Sequence, residues 1–159
     1  MTYLAKLGEL TLKGSNLQEF ENLLTKNTKK CLTGKNVKIQ LRAGRLYIEC
    51  EEEDCQAVEF TLNHLLGITG WAKTVTCEKS IEAINEAVFE IAKIQAKKGA
   101  KTFKIDARRS DKKFPLNSYQ ICCESAGKVE SIMKVDVHKP DVVIYVEVRE
   151  KVFVYVDSN

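Results

Sequence analysis

The thirteen residues Val37-Lys38-Ile39-Gln40-Leu41-Arg42-Ala43-Gly44-Arg45-Leu46-Tyr47-Ile48-Glu49 decide the fold of the first half of the chain. Two short runs with alternating apolar residues meet at Ala43-Gly44, which is the pattern of a β-hairpin. The flanks of this hairpin carry helical spacing. Upstream, Leu17, Phe20, Leu23, Leu24, Cys31 and Leu32 recur as one face of a helix. Ser15 and Asn16 are its candidate caps, with Gln18 and Glu19 three residues on, and Gly34 is its stop. Before it, residues 2–8 alternate Tyr3, Ala5 and Leu7 with Leu4 and Lys6, predicting a first strand, and Gly8 and Gly14 mark the loop between. Downstream, Val58, Leu62, Leu65 and Leu66 predict a second helix over 53–66, closed by Gly67, and residues 68–78 read as extended. Strand, helix, strand, strand, helix, strand is the split β-α-β order of a ferredoxin-like fold.

A second unit follows without a linker rich in Gly, Ser or Pro, so two small units packed together are expected, 1–72 and 73–159. Ser80 caps a helix with Ile81, Ile84, Val88, Ile91 and Ile94 on one face, ended by Gly99 after Lys97 and Lys98. Phe103, Ile105 and Ala107 then alternate with Lys104, Asp106 and Arg108 as a strand. A helix is predicted over 119–132, capped by Asn117 and Ser118. Val142, Ile144, Val146 and Val148, then Val152, Val154 and Val156, form a closing hairpin joined at Arg149-Glu150. The class is α+β.

At 159 residues, 44% hydrophobic and 30% charged with only 2 Pro, the chain has the balance of compact domains rather than of a disordered, collagenous or coiled-coil protein. No apolar run approaches the roughly 18 to 20 residues of a membrane span, and Met1 is followed by no signal-like apolar core, which reads as a cytoplasmic protein without membrane contact. Six cysteines with no C-x-x-C spacing, beside two histidines, suggest neither a zinc cage nor a disulfide framework. Nucleotide-binding glycine motifs, a nucleophile elbow and a Cys/His pair are missing too. His64 and His138 read as surface or packed histidines, Cys122-Cys123 as two thiols pointing opposite ways from a helix, and Gly67-Ile68-Thr69-Gly70 lacks the helix that should follow a G-x-x-G RNA loop.

Charge is more informative than its sum. Residues 1–48 carry a net +6, residues 49–72 a net −6, and the rest +3, with residues 101–118 alone at +4. The richest constellation is Arg108-Arg109-Ser110-Asp111-Lys112-Lys113-Phe114-Pro115-Leu116-Asn117-Ser118. It sets four cations between a strand and the start of a helix, whose unpaired N–H groups and dipole suit phosphate. Phe114 either stacks on an unpaired base or joins the core. Nucleic acid and a merely solvated cationic loop both remain open on this chemistry. Lys13 with Lys26, Lys29 and Lys30 offers a second, weaker basic face.

Lys101 through Ser118, then Gly127, Val135-Asp136-Val137-His138-Lys139-Pro140-Asp141-Val142 and Val146-Glu147-Val148, together resemble a THUMP domain. The opening Lys6-Leu7-Gly8-Glu9-Leu10-Thr11-Leu12-Lys13-Gly14-Ser15-Asn16, with Phe20-Glu21 after it, is similar to the start of the ThiI family of tRNA 4-thiouridine synthetases. The resemblance spans the whole chain and keeps the domain order. It implies a ferredoxin-like domain packed on a mixed α/β THUMP domain, docking the acceptor stem and CCA end of tRNA for 4-thiouridine synthesis at position 8, with a link to thiamine thiazole synthesis.

By the same resemblance Arg108, Arg109, Lys112 and Lys113 meet phosphates near the tRNA 3′ end. Asn117 and Ser118 present the helix N-terminus, and Lys13 and Gly14 make weaker RNA contacts. Asp136, Pro140 and Asp141 also match but look structural. The family activates uridine with ATP and Mg in a PP-loop domain and takes sulfur from the persulfide of a cysteine desulfurase, with one tRNA spanning a homodimer. Neither a Ser-Gly-Gly-x-Asp-Ser motif nor a rhodanese-type cysteine loop occurs here, so no cofactor and no catalysis are expected of this chain alone. Two alternatives stand beside this reading: the RNA-binding region of another modifying enzyme (methyltransferase, pseudouridine synthase or deaminase), and a protein interaction module using the acidic 49–59 stretch.

Overall fold

The computed structural model describes residues 1–8, 17–42 and 44–156. It divides between Lys73 and Thr74 into two compact units. The first contains β1 (Thr2–Leu7), α1 (Leu17–Cys31), β2 (Val37–Arg42), β3 (Arg45–Cys50), a 3-10 turn (Glu52–Asp54), α2 (Cys55–His64) and the beginning of β4 (Ile68–Cys77). Its sheet runs β2-β3-β1-β4, the ferredoxin-like order in which the hairpin lies outside the first strand.

The hairpin forms as its alternation predicts. Ile39 lies opposite Ile48 and Leu41 opposite Leu46, so both strands present one apolar face. Pairing of Arg42 with Arg45 leaves a two-residue turn, and Gly44 takes the left-handed φ of 76° that such turns demand. Tyr3 pairs with Ile48, which carries Tyr3 and Ala5 onto the same face, where Leu32, Val58 and Leu62 cover them. Leu4 is buried as well, so β1 is a central strand apolar on both sides rather than a half-exposed alternating one.

Helix α2 is shorter than the 53–66 expected from spacing. Leu65 is already extended, and Leu66, counted as a core position in the sequence reading, is 90% exposed. The chain leaves the helix to reach Gly67, whose carbonyl accepts the Gly8 N–H at 3.1 Å and whose Cα lies against the Phe20 ring. The candidate caps Ser15 and Asn16 lie outside the described residues.

The second unit contains the end of β4, then α3 (Ile81–Lys97), β5 (Thr102–Arg109), α4 (Ser118–Val129), β6 (Lys134–Val135), β7 (Val142–Val148) and β8 (Val152–Val156). Its sheet runs β4-β8-β7-β5-β6, with β5 parallel to β6 and β7 and the closing hairpin antiparallel. A parallel pair needs a crossover, and α4 supplies it. Phe103, Ile105 and Ala107 of β5, Ile144, Val146 and Val148 of β7 and Val152 and Val154 of β8 form one core with Ile84, Val88 and Ile91 of α3 and Ile121 and Val129 of α4. Burial of these side chains, at roughly 25 cal/mol per Å² of apolar surface, is the main force holding the helices on the sheet. Ser80 caps α3 by accepting the Ala83 N–H at 3.2 Å, while Ile94, expected on the buried face, is exposed in the last turn.

Candidate nucleic-acid interface

Alternation along β5 separates the two arginines at its end. Lys104, Asp106 and Arg108 fall on one face, and Arg109 follows Phe103, Ile105 and Ala107 on the face packed by helices. Arg108 is well exposed, with its Nε 3.8 Å from Asp106, a loose surface pair that leaves its charge available. Arg109 is half-buried. Its Nη1 donates to the carbonyl oxygens of Phe114 at 2.8 Å and Leu116 at 3.3 Å, tying the strand end to the far side of the loop.

The loop itself is tightly bonded. The Ser110 N–H donates to Val148 O at 2.9 Å, the Lys113 N–H to Asp111 Oδ1 at 3.0 Å, and the Phe114 N–H to Asp111 O at 3.2 Å. Lys79 Nζ, just ahead of α3, donates to Asp111 Oδ2 at 2.8 Å. That ammonium, and then the Lys113 N–H, hold the Asp111 carboxyl below its ordinary pKa. The one acid inside the basic loop is thereby neutralised by a residue outside it, while Lys112 and Lys113 extend into solvent. Phe114 is 6% exposed and belongs to the core, which rules out the base-stacking alternative for it.

Asn117 caps α4 in a full capping box: its Oδ1 accepts the Gln120 N–H at 2.8 Å, and Gln120 Oε1 accepts the Asn117 N–H at 2.9 Å. The Asn117 side chain is therefore committed to the helix. What the helix start offers a ligand is the N–H groups of its first residues, Ser118 and Tyr119, which have no partner within the helix. Tyr119 carries the exposed aromatic ring of this region, at 77%. A hydrogen bond to the Cys123 thiol, one turn on, raises its pKa. Cys122 turns inward, donating to Ile105 O at 3.3 Å, and Cys123 outward, the divergence expected of neighbours on a helix.

The Asp136 to Asp141 segment is structural. Asp136 Oδ1 accepts the N–H groups of His138 and Lys139, both at 3.0 Å, which lowers its pKa. Asp141 Oδ2 accepts the N–H groups of Lys101 and Thr102, fixing the start of β5.

The structure thus brings Arg108, Lys112, Lys113, Ser118 and Tyr119 to one strand-to-helix connection at the end of β5, and uses Arg109 and Asn117 within it. Lys26, Lys29 and Lys30 are exposed along α1, whereas Lys13 and Gly14 lie outside the described residues. Sequence reasoning missed Lys79 and Tyr119. The Lys79 pairing joins residues 32 apart and leaves no local trace, but Tyr119 was legible as the aromatic next to a capping residue. Among the described residues no cluster of three or more His, Cys, Asp or Glu can hold a metal, and no helix is long and apolar enough to cross a membrane.

The THUMP domain model matches residues 78–157, and the model of the ThiI ferredoxin-like domain matches residues 2–72. A probable tRNA sulfurtransferase of Treponema pallidum (strain Nichols) is 42% identical over 153 residues, covering 94% of this chain and 38% of that protein. A probable tRNA sulfurtransferase of Caldanaerobacter subterraneus subsp. tengcongensis is 40% identical over 156 residues, covering 96% and 40% respectively. The crystal structure of a 4-thiouridine synthetase in complex with RNA and ATP superimposes with a TM-score of 0.82 at 28% identity, over 98% of this chain and 40% of that one. The chain spans about two fifths of the length of these relatives.

Proposed function

The chain belongs to the THUMP domain family, with a ThiI ferredoxin-like domain ahead of the THUMP domain, and on that premise we propose that it is the tRNA-docking region of a tRNA sulfurtransferase. The observation that carries the proposal is the connection from β5 to α4. Arg108 projects from the end of β5, and Lys112 and Lys113 from a loop whose acid is already paired, beside a helix start whose first N–H groups have no partner within the helix. Cations plus helix N–H groups suit the closely spaced phosphates of an RNA end. Tyr119 gives that end an exposed ring on which an unpaired terminal base can stack. Tip and tail of an acceptor stem, duplex phosphates followed by the single-stranded CCA, offer both features at once.

The 4-thiouridine synthetase that superimposes on this chain was solved with RNA, which supports an RNA ligand here. We extend the reading to the family's division of labour: ATP-dependent uridine activation and sulfur transfer from a cysteine desulfurase persulfide take place outside these residues, in the cytoplasm, with a homodimer sharing one tRNA. Lys13 and Gly14 are assigned a secondary RNA contact. The protein-module alternative has less behind it, because within the acidic stretch Asp54 is buried and Glu59 accepts the Tyr3 hydroxyl at 2.6 Å.

Fluorescence anisotropy with two acceptor-stem minihelices, one ending in CCA and one blunt, over a salt series, tests the proposal. The CCA-ended RNA is expected to bind more tightly, with log K falling against log salt by about 0.7 to 0.9 per phosphate neutralised. Equal binding of both RNAs would remove the 3′-end assignment, and no binding would remove the RNA assignment.

A further inference from the structure

Arg108 and Arg109 are adjacent and equally charged, but their surroundings differ in kind. Successive residues of a strand point to opposite faces. Arg108 stands in solvent. Arg109 is half-buried on the core side, with one guanidinium nitrogen shared between the carbonyls of Phe114 and Leu116, five and seven residues along the chain. Between Arg109 and those anchors lie Lys112 and Lys113, and just beyond the anchors lies the Asn117 cap of α4. The guanidinium therefore spans the base of the loop that displays the two lysines. The two hydrogens of Nη1 are fixed in the plane of the guanidinium and serve the two carbonyls with little loss of freedom, whereas a lysine ammonium on a flexible stem has no such pre-organised geometry.

We infer that Arg109 is a positioning residue of the RNA site, acting through the loop it clamps rather than through a phosphate of its own. Lys79 and Asp111 assist: Asp111 takes the Lys113 N–H with one oxygen and the Lys79 ammonium with the other. The inference rests on the RNA-binding reading above and divides its four cations into three that face the ligand, Arg108, Lys112 and Lys113, and one that holds them.

Charge-conserving substitution separates the two roles. Arg109→Lys keeps the positive charge and removes the bridge, and Arg109→Ala removes both. The 159-residue chain carrying each change, and Arg108→Ala for comparison, is titrated with the CCA-ended minihelix, and amide hydrogen exchange is followed in the RNA-free chain. Both Arg109 variants are expected to lose affinity alike, on the order of tenfold, the loss of one or two charge-assisted hydrogen bonds. Exchange of the Lys113 and Phe114 amides should accelerate by a similar factor. Arg108→Ala should instead lower the salt slope by about one and leave those amides protected.

Arg109→Lys binding like the unsubstituted chain would overturn the inference, because charge alone would then suffice. Weak binding with unchanged exchange would overturn it as well, by locating the guanidinium on the RNA. If the unsubstituted chain binds neither minihelix, the RNA reading fails, and the exchange measurement still decides whether Arg109 holds the loop.

Discussion

Phe114 and Tyr119 are five residues apart and exchange the roles that their surroundings in the sequence suggest. Phe114 sits among lysines in a loop yet is buried, and Tyr119 sits in a helix yet is exposed. Phe114→Ala is expected to cost about 3 to 5 kcal/mol of unfolding free energy by urea titration. Tyr119→Ala is expected to change stability by less than about 0.5 kcal/mol while weakening CCA-ended RNA by about 1 to 3 kcal/mol. The thiols divide in the same way. Burial pushes Cys50 and Cys77 up to about 11, and Cys50 lies 3.8 Å from Cys55 in the first core, whereas Cys31 and Cys123 are exposed. Alkylation at pH 8 followed by mass spectrometry should therefore modify Cys31 and Cys123 first and leave Cys50 until the chain unfolds. Asp111 titrates with the opposite sign. Its folded pKa is depressed, so its contribution to holding the loop is complete above the ordinary carboxylate pKa and is lost as pH falls through the depressed value. The Lys113 amide should exchange faster, relative to its intrinsic rate, in that acid window and not between pH 6 and 8.

Elements in this fold end where glycine permits it. Gly67 has a φ of 98°, and a Cβ there would lie 2.5 Å from Phe20 Cζ. Gly99, with a φ of 104° at the end of α3, has open space around it. Both positions charge an L-residue about 1 to 2 kcal/mol for the left-handed conformation, and Gly67 adds displacement of an aromatic ring. Gly67→Ala should lower the unfolding midpoint more than Gly99→Ala, and Phe20→Ala should remove the excess in a double-mutant cycle. At the start of α4, Asn117→Ala should cost about 1 kcal/mol, the worth of a capping side chain.

Element type was legible in this sequence because period and punctuation agree: the hairpin at Gly44, the capped start at Ser80 and the closing valine alternation all form as their spacing dictates. Leu23 and Cys31, also expected on the apolar face of α1, are exposed within it, so the stripe there is narrower than its spacing suggests, whereas Leu66 and Ile94 are misplaced because spacing reports phase and not length. Leu66 and Ile94 continue the apolar face of their helices on paper, but one helix has already ended and the other is in its last turn. Glu147 shows a different limit in a strand, burial against the alternation. It is 2% exposed, taking hydrogen bonds from the Tyr155 hydroxyl, brought near by pairing across β7 and β8, and from the guanidinium of Arg149 in the turn two residues on.

At the scale of the whole chain, a nearly balanced composition of 25 basic and 22 acidic residues hides the separation of charge that matters. Removing Lys112 and Lys113 together should lower the salt slope of RNA binding by about two, as two lost phosphate contacts would. The cations of the loop and strand end were legible from the sequence, and Lys79, which pairs Asp111 from 32 residues away, was not. Which of them face outward was half legible, since strand alternation already separates Arg108 from Arg109, but the loop closure that makes Arg109 a clamp is a property of three-dimensional geometry.

Sheet order also has a meaning in time. The last strands, β7 and β8, lie between β4 and β5 rather than at an edge, and the Ser110 N–H of the basic loop rests on Val148 of β7. On a ribosome, the segment with the cations emerges some forty residues before the strands that anchor it, and during that interval the nascent THUMP unit has neither a closed core nor an anchored basic loop. The loop that presents Arg108, Lys112 and Lys113 is thus given its fixed shape by residues made after it, once 142–156 have joined the sheet.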